Sequence, residues 1–461
     1  MADPREADLL DPNRFAALAR RRARPAVALA AGAALAFPAL SASAPTTSRA
    51  SLGPSGAQAN RAAASAALSG TGRFVVFHSS ASNLVARDRN GRVDVFLRDR
   101  ETRTTRRLSV SPRGGGGNGH STSPAISEDG RFVAFDSSAS NLVARDGNRK
   151  VDVFVRDRQT GTTRRVSVTS SGAGANGPSF DPSISADGRI VGFDSGASNL
   201  VRRDRNDAWD VFVRDRQAGT TRRVSVSSAG VAGNRDSWSA VVSPDGRHVA
   251  FASLAFNLVG GDTNRQADVF VRDRQTGTTT RVSVRSNGRQ ANGGSAFPAI
   301  SANGRFVAFR SVATNLVAGD TNGHADVFVH DRETGRTRRI SVARDGSQAN
   351  GPSDAPALSA DGNLVAFESS ATNLIPSDTN AYRDVFVRDR AAGRTRRVSI
   401  STSYVAGNGL SERATLSGDG RVVAFTSYAT NLVRRDTNRR ADVFVRGPFP
   451  WASTAGRRRL R

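Results

Sequence analysis

The pair Asn-Leu, followed by Val or Ile, recurs at Asn83, Asn141, Asn199, Asn257, Asn315, Asn373 and Asn431, and every interval is 58 residues. A fixed period of this length marks a repeat architecture in which each unit buries its apolar faces against its neighbours. One unit holds four runs rich in Val, Ile, Phe and Thr: 124–127, 131–137, 151–157 and 163–168. These are β-formers, and Asp-Gly and Thr-Gly pairs punctuate them where tight turns need positive φ. Runs such as Phe132-Val133-Ala134-Phe135 are apolar on both faces, so each sheet must be covered on both sides.

The two ends of the repeat complement each other. The seventh unit stops at Asp442-Val443-Phe444-Val445-Arg446 without its fourth run. A run in the phase of that missing strand stands at the start, as Thr46-Thr47-Ser48-Arg49-Ala50-Ser51-Leu52. An open solenoid has no reason to divide one unit between its termini, whereas a closed ring does. The expected fold is an all-β, seven-bladed β-propeller of four-stranded blades over residues 46–446, closed by the N-terminal strand completing the last blade.

The phrases Ser185-Ala186-Asp187-Gly188-Arg189, Val133-Ala134-Phe135 and Asp152-Val153-Phe154-Val155-Arg156-Asp157-Arg158, followed by Thr160-Gly161, resemble the TolB-like (WD-repeat-like) propeller family. The resemblance spans 46–446. It implies the propeller fold and a family of binding, scaffold and enzyme-accessory proteins, without fixing an activity.

Ahead of the repeat, Arg20, Arg21, Arg22 and Arg24 precede an apolar run from Ala26 to Leu40 and the small residues Ser41-Ala42-Ser43-Ala44. Residues 1–44 read as an export segment, placing the mature chain in the secreted or cell-envelope space with no membrane span. Residues 447–461, ending Arg457-Arg458-Arg459-Leu460-Arg461, read as a basic disordered tail.

The chain has no cysteine among its 461 residues, which excludes disulfide scaffolds, thiolate metal sites and thiol nucleophiles. Its five histidines form no repeated constellation with Ser and Asp. The net charge of +25 comes almost wholly from arginine, which recurs in fixed columns on the outer strands. Charged side chains there protect an open strand edge, and the ring of charge they form is not the groove that a nucleic acid needs.

In a four-stranded blade the loop from strand B to C and the loop from D to the next A share one face. Here those loops are long and the other turns are tight, so binding residues are expected on that face. Eight aromatics depart from the repeated phenylalanine columns: Phe180, Trp209, Trp238, Phe256, Phe297, Tyr382, Tyr404 and Tyr428. All eight fall in B–C or D–A segments. The residues leading into strand A vary most, and would ring the mouth of a central channel. The candidate binding set is Phe180, Asp181, Trp209, Trp238, Phe297, Asp354, Tyr382, Glu412 and Arg413. Such a face suits a protein or a cell-envelope glycan, held by a monomer without catalysis. The competing class is an extracellular carbohydrate hydrolase or lyase with a channel-mouth carboxylate pair such as Asp181 and Glu412.

Each B–C loop also carries Asp-x-Asn-x-x-x-Asp, as in Asp88/Asn90/Asp94, Asp262/Asn264/Asp268 and Asp320/Asn322/Asp326. Three oxygen side chains at this spacing resemble the opening of a calcium loop. The alternative is an Asx turn followed by an Asp that caps strand C. No other cofactor is expected.

Overall fold

A computed structural model describes residues 44–376 and 378–450; the expected export segment, up to residue 43, and residues 451–461 lie outside the described residues. The chain forms seven four-stranded antiparallel sheets, and in six of them the strands A-B-C-D follow one another along the sequence. Blade 1 uses Ala63–Leu68, Phe74–Ser79, Asp94–Asp99 and Thr104–Arg107, and the same pattern recurs through blade 6. Blade 7 joins Ser411–Leu416, Val423–Ser427 and Asp442–Gly447 to the N-terminal strand Thr46–Arg49. The ring is therefore closed by pairing the two ends of the chain, in the expected phase.

The core lies between blades. Ala67, Val76, Val95 and Leu97 of blade 1 pack on Ile126, Val133, Phe135 and Phe154 of blade 2. Within each blade a phenylalanine of strand B stacks on one of strand C, as Phe135 does on Phe154 at 6.0 Å. Both rings are fully buried, which explains why these two columns never vary. The boundary expected at 446 is too early: Phe449 is buried in the apolar cluster of blades 6 and 7.

The A–B turns explain the Ser-x-Asp-Gly-Arg phrase. Ser127 and Phe132 hold the turn through the bond from the Phe132 amide to the Ser127 hydroxyl (2.8 Å), while Asp129 accepts the Ser127 hydroxyl and the Arg131 amide. Gly130 takes φ +74°, and a Cβ there would stand 2.2 Å from the Phe74 ring of blade 1. These turns also join the blades through backbone hydrogen bonds, Gly70 to Glu128, Glu128 to Ala186 and Ala186 to Pro244. Pro244 has no N–H and passes nothing on; the belt resumes from Ala302 to Ala360 and from Ala360 to Gly418.

The arginine following the turn reaches the end of strand C. In blades 1 to 5 the pairs are Arg73–Asp99, Arg131–Asp157, Arg189–Asp215, Arg247–Asp273 and Arg305–Asp331. Each guanidinium donates from Nε and Nη2, as Arg131 does to the two oxygens of Asp157 at 3.0 and 2.8 Å. This fork holds the Asp99, Asp157, Asp215 and Asp331 carboxyls down to about 2.

Blade closure has its own ion pair. Arg49, only 4% exposed at its side chain, places Nη2 2.8 Å from Asp436, with Nε 3.6 Å from Asp442, and Ser51 donates to Asp442 at 2.5 Å. The N-terminal strand thus supplies blade 7 with the arginine and serine that Arg165 and Ser167 supply to blade 2.

Two outcomes are expected. Removing Arg49 leaves two buried carboxylates without their cation, so Arg49→Ala should lose about 3–5 kcal/mol in denaturant unfolding, with the ring opening at blade 7. A carboxyl held below its unfolded value of about 3.9 stabilises the fold above that pH and stops doing so as the pH falls through about 2. Asp157→Asn should therefore melt below the parent at pH 6, and the two melting temperatures should converge toward pH 2.

Candidate functional site: the channel mouth

Strand A lies innermost in each blade and packs against strand A of the next. Near its start every strand A breaks register with strand B, for instance between Phe180 and Ser183. The third residue of each then has positive φ: Ser65, Ser123, Asp181, Ser239, Phe297, Ala355 and Arg413, all between 46° and 63°. A β-bulge re-aims the side chains beside it. Seven equivalent bulges form a ring at the channel mouth. Because of the bulge, strand A of blade 2 runs from Ser121, three residues before the expected start. Phe180, Trp238 and Phe297 consequently lie within strand A, not in the D–A loops where the sequence pattern puts them.

The bulge amides are received by the preceding blade. Asp136 accepts the Asp181 amide at 3.0 Å, Asp194 accepts those of Ser239 and Ala240 at 2.9 and 3.1 Å, and Glu368 accepts that of Arg413 at 2.7 Å. Thr426 does the same for Ser65 at 3.3 Å. These acceptors occupy the next-to-last position of strand B, a column that reads His78, Asp136, Asp194, Ala252, Arg310, Glu368 and Thr426. Its variation from unit to unit is the signal in the sequence that marks it.

Arg413 is the centre of the mouth. It is 5% exposed and donates from Nη1 to the Ser65 hydroxyl of blade 1. Burial pushes its pKa down, opposed by Glu412 and Tyr428 of blade 7, Glu368 of blade 6 and Asp181 of blade 3. Groups from blades 3, 6 and 7 thus act on one guanidinium. Burial, with Arg413 adding to it, drives the His78 imidazole of blade 1 down to about 3, so that ring is neutral. Glu368 goes the other way: burial raises its carboxyl to about 7, against the pull of Arg383, whose Nη1 lies 2.8 Å away. Around this core Arg310 faces Asp354 at 3.5 Å, and the Ser123 hydroxyl donates to Asp181 at 2.9 Å. The expected residues Asp181, Asp354, Glu412 and Arg413 are thereby brought into one network; Arg310, Glu368, Arg383 and His78 are members that the sequence did not reveal.

The aromatics divide. Phe180 stacks on Trp209 with centroids 5.9 Å apart, joining strand A of blade 3 to the end of its B–C loop. Trp238 and Phe297 are half-buried, and Tyr382 and Tyr428 are about half exposed. Tyr404 stands apart, its ring 5.2 Å from the Arg446 guanidinium on strand C of blade 7.

The acidic loops have their charges met within the protein. Arg107 Nη1 lies 2.8 Å from Asp88 and 3.3 Å from Asp94, and Asn90 donates to Asp94 at 2.7 Å while accepting the Arg92 amide. Arg281 bridges Asp262 and Asp268, with Asn264 on Asp268; Arg339 bridges Asp320 and Asp326, with Asn322 on Asp326. A guanidinium stands between the two carboxylates where a calcium ion would have to sit. Among the described residues no group of three or more His, Cys, Asp or Glu side chains is arranged to hold a metal. These residues fit an Asx turn locked by arginine, and not a calcium loop.

No protein-family model matches the chain, and neither does any curated protein sequence. Solved structures do. An oligogalacturonate lyase from Vibrio parahaemolyticus is 11% identical, with a TM-score of 0.50 over 82% of this chain and 88% of that one. The propeller domain of the Trilobed protease from Pyrococcus furiosus is 11% identical, with a TM-score of 0.51 over 88% and 94%. TolB from Acinetobacter baumannii is 16% identical with a TM-score of 0.39; the match covers 66% of this chain and 58% of TolB. At these identities the likeness concerns the propeller fold alone, which serves binding proteins and enzymes alike.

If arginine fills the acidic loops, calcium has no structural part in them. The melting temperature in excess calcium should equal that in EGTA, whereas Arg281→Ala should lower it in both.

Proposed function

We propose that the chain is an exported, non-catalytic binding propeller whose channel-mouth face holds a protein or glycan partner. The observation that carries this reading is the bulge ring. One backbone device is repeated seven times, and its copies present Ala64-Ser65, Thr122-Ser123, Phe180-Asp181, Trp238-Ser239, Ala296-Phe297, Asp354-Ala355 and Glu412-Arg413. Frame residues in the same blades repeat almost unchanged, while this ring, where a partner would touch all blades at once, diverges from blade to blade. Half-buried aromatics beside charged side chains, as at Phe180, Asp181 and Trp209, give contact area with polar orientation.

The charged groups favour binding over turnover. Asp136, Asp194 and Glu368 are engaged in holding bulge amides, and Asp181 and Glu412 act on a buried arginine. A second reading, a glycan hydrolase or lyase, draws on one observation: a carboxyl near 7, as at Glu368, is what a general acid requires.

Immobilised protein should retain a specific component of fractionated cell envelope from its host. Trp209→Ala or Trp238→Ala should weaken that retention roughly tenfold, about 1–2 kcal/mol for an aromatic anchor. No cleaved product should form. Product that disappears in Glu368→Gln would replace this reading with the enzymatic one.

A further inference from the structure

On the opposite face, where the tight turns lie, the repeat breaks once in a way that opens a hollow. Blades 1 to 5 carry arginine after the A–B turn, but blade 6 has Asn363. The shorter side chain reaches Asp389 with a single bond of 3.3 Å, and its carbonyl accepts the Ala391 amide at 3.0 Å. Beside it, between blades 5 and 6, lies a cavity of about 390 Å³ walled by Arg338, Arg388, Arg390, Asn363 and Phe306. A second hollow of about 270 Å³ shares Phe306, Arg338 and Arg390 and adds Arg336.

The walls carry more arginine than acid, with Asp361 lining the first hollow and Asp331 the second. Arg336 and Arg338 are exposed, and neither forms a salt bridge with a described residue. Arg390 lies over the Phe306 ring at 4.2 Å and donates to the Gly362 carbonyl. Burial lowers its pKa; Asp331 and Asp361 pull it back up, and Arg338 and Arg305 repel it. The acids nearby are already committed: Asp361 accepts the Ser359 hydroxyl and the Asn363 amide, and Asp331 is forked by Arg305.

We propose that this hollow between blades 5 and 6 binds the oxyanion group of a small ligand, a phosphate, sulfate or carboxylate, between Arg338 and Arg390. Guanidinium groups offer paired donors that match such oxygens, and an anion relieves the repulsion between the two cations. Phe306 and Arg390 form its floor. In blade 2 the guanidinium of Arg131 spans the corresponding wall to reach Asp157.

The full chain is titrated with sodium phosphate, sodium sulfate and sodium acetate against sodium chloride at matched ionic strength, by calorimetry and melting temperature. Saturable binding is expected with at least one of the three anions. Asn363→Arg, which rebuilds the fork of blades 1 to 5, should weaken it at least tenfold while holding or raising the melting temperature without ligand. Arg338→Ala should weaken it as much, and Arg164→Ala, the same column in blade 2, should leave it unchanged. The proposal is overturned if none of the anions saturates, if Asn363→Arg binds as the parent does, or if Arg164→Ala weakens binding as much as Arg338→Ala, since charge would then be acting diffusely around the rim.

Discussion

The structure rests on sheets that are apolar on both faces and so cannot exist singly. Each blade's strand pair, with Phe135 on Phe154 as the example, is covered by the blade before and the blade after. Stacking seven such sheets around an axis leaves only the outermost edge and the two loop faces in water. The division of labour follows from this constraint. Residues facing a neighbouring blade repeat because the neighbour repeats, and divergence is tolerated only at the axis and in the loops.

Arginine is the second structural currency of the fold. It forks the ends of strand C, bridges the buried acids of the B–C loops and, as Arg49, locks the ring. Most of the excess charge thus has a place in the repeat, and its meaning emerges where the pattern fails. Two failures stand out: Arg413, buried at the bulge of its strand A, and Asn363, beside the cavity between blades 5 and 6.

The repeat, the strand order and the closure were legible because they depend on spacing and two-faced apolarity, which are linear properties of the chain. Thr46–Leu52 could be assigned to blade 7 from phase alone, and Arg49 and Ser51 then fell into the places of Arg165 and Ser167. The bulge ring was not legible, because positive φ there is imposed by the ring and falls on Ser, Asp, Phe, Ala and Arg with no glycine to announce it. Glu368 and His78 were hidden for a related reason. Their pKa shifts come from burial created by other blades, while in sequence each is one polar residue near a strand end. The acidic loops left two readings open because both need the same oxygens, and only the position of the arginine distinguishes them.

The pairing of Thr46 with Gly447 has a consequence for how the molecule comes into being. Of the strands of the ring, the one that closes it is synthesised first and must wait for the last blade. Throughout that interval its hydrogen-bonding edge is open, as are the uncovered faces of the first and last blades formed so far. Contacts of such sequence separation are slow to form because a long loop must close before they give anything back. The chain is therefore exposed to wrong partners for longest at its N-terminal strand, and a second copy offering the same unfilled blade is the partner that fits it best.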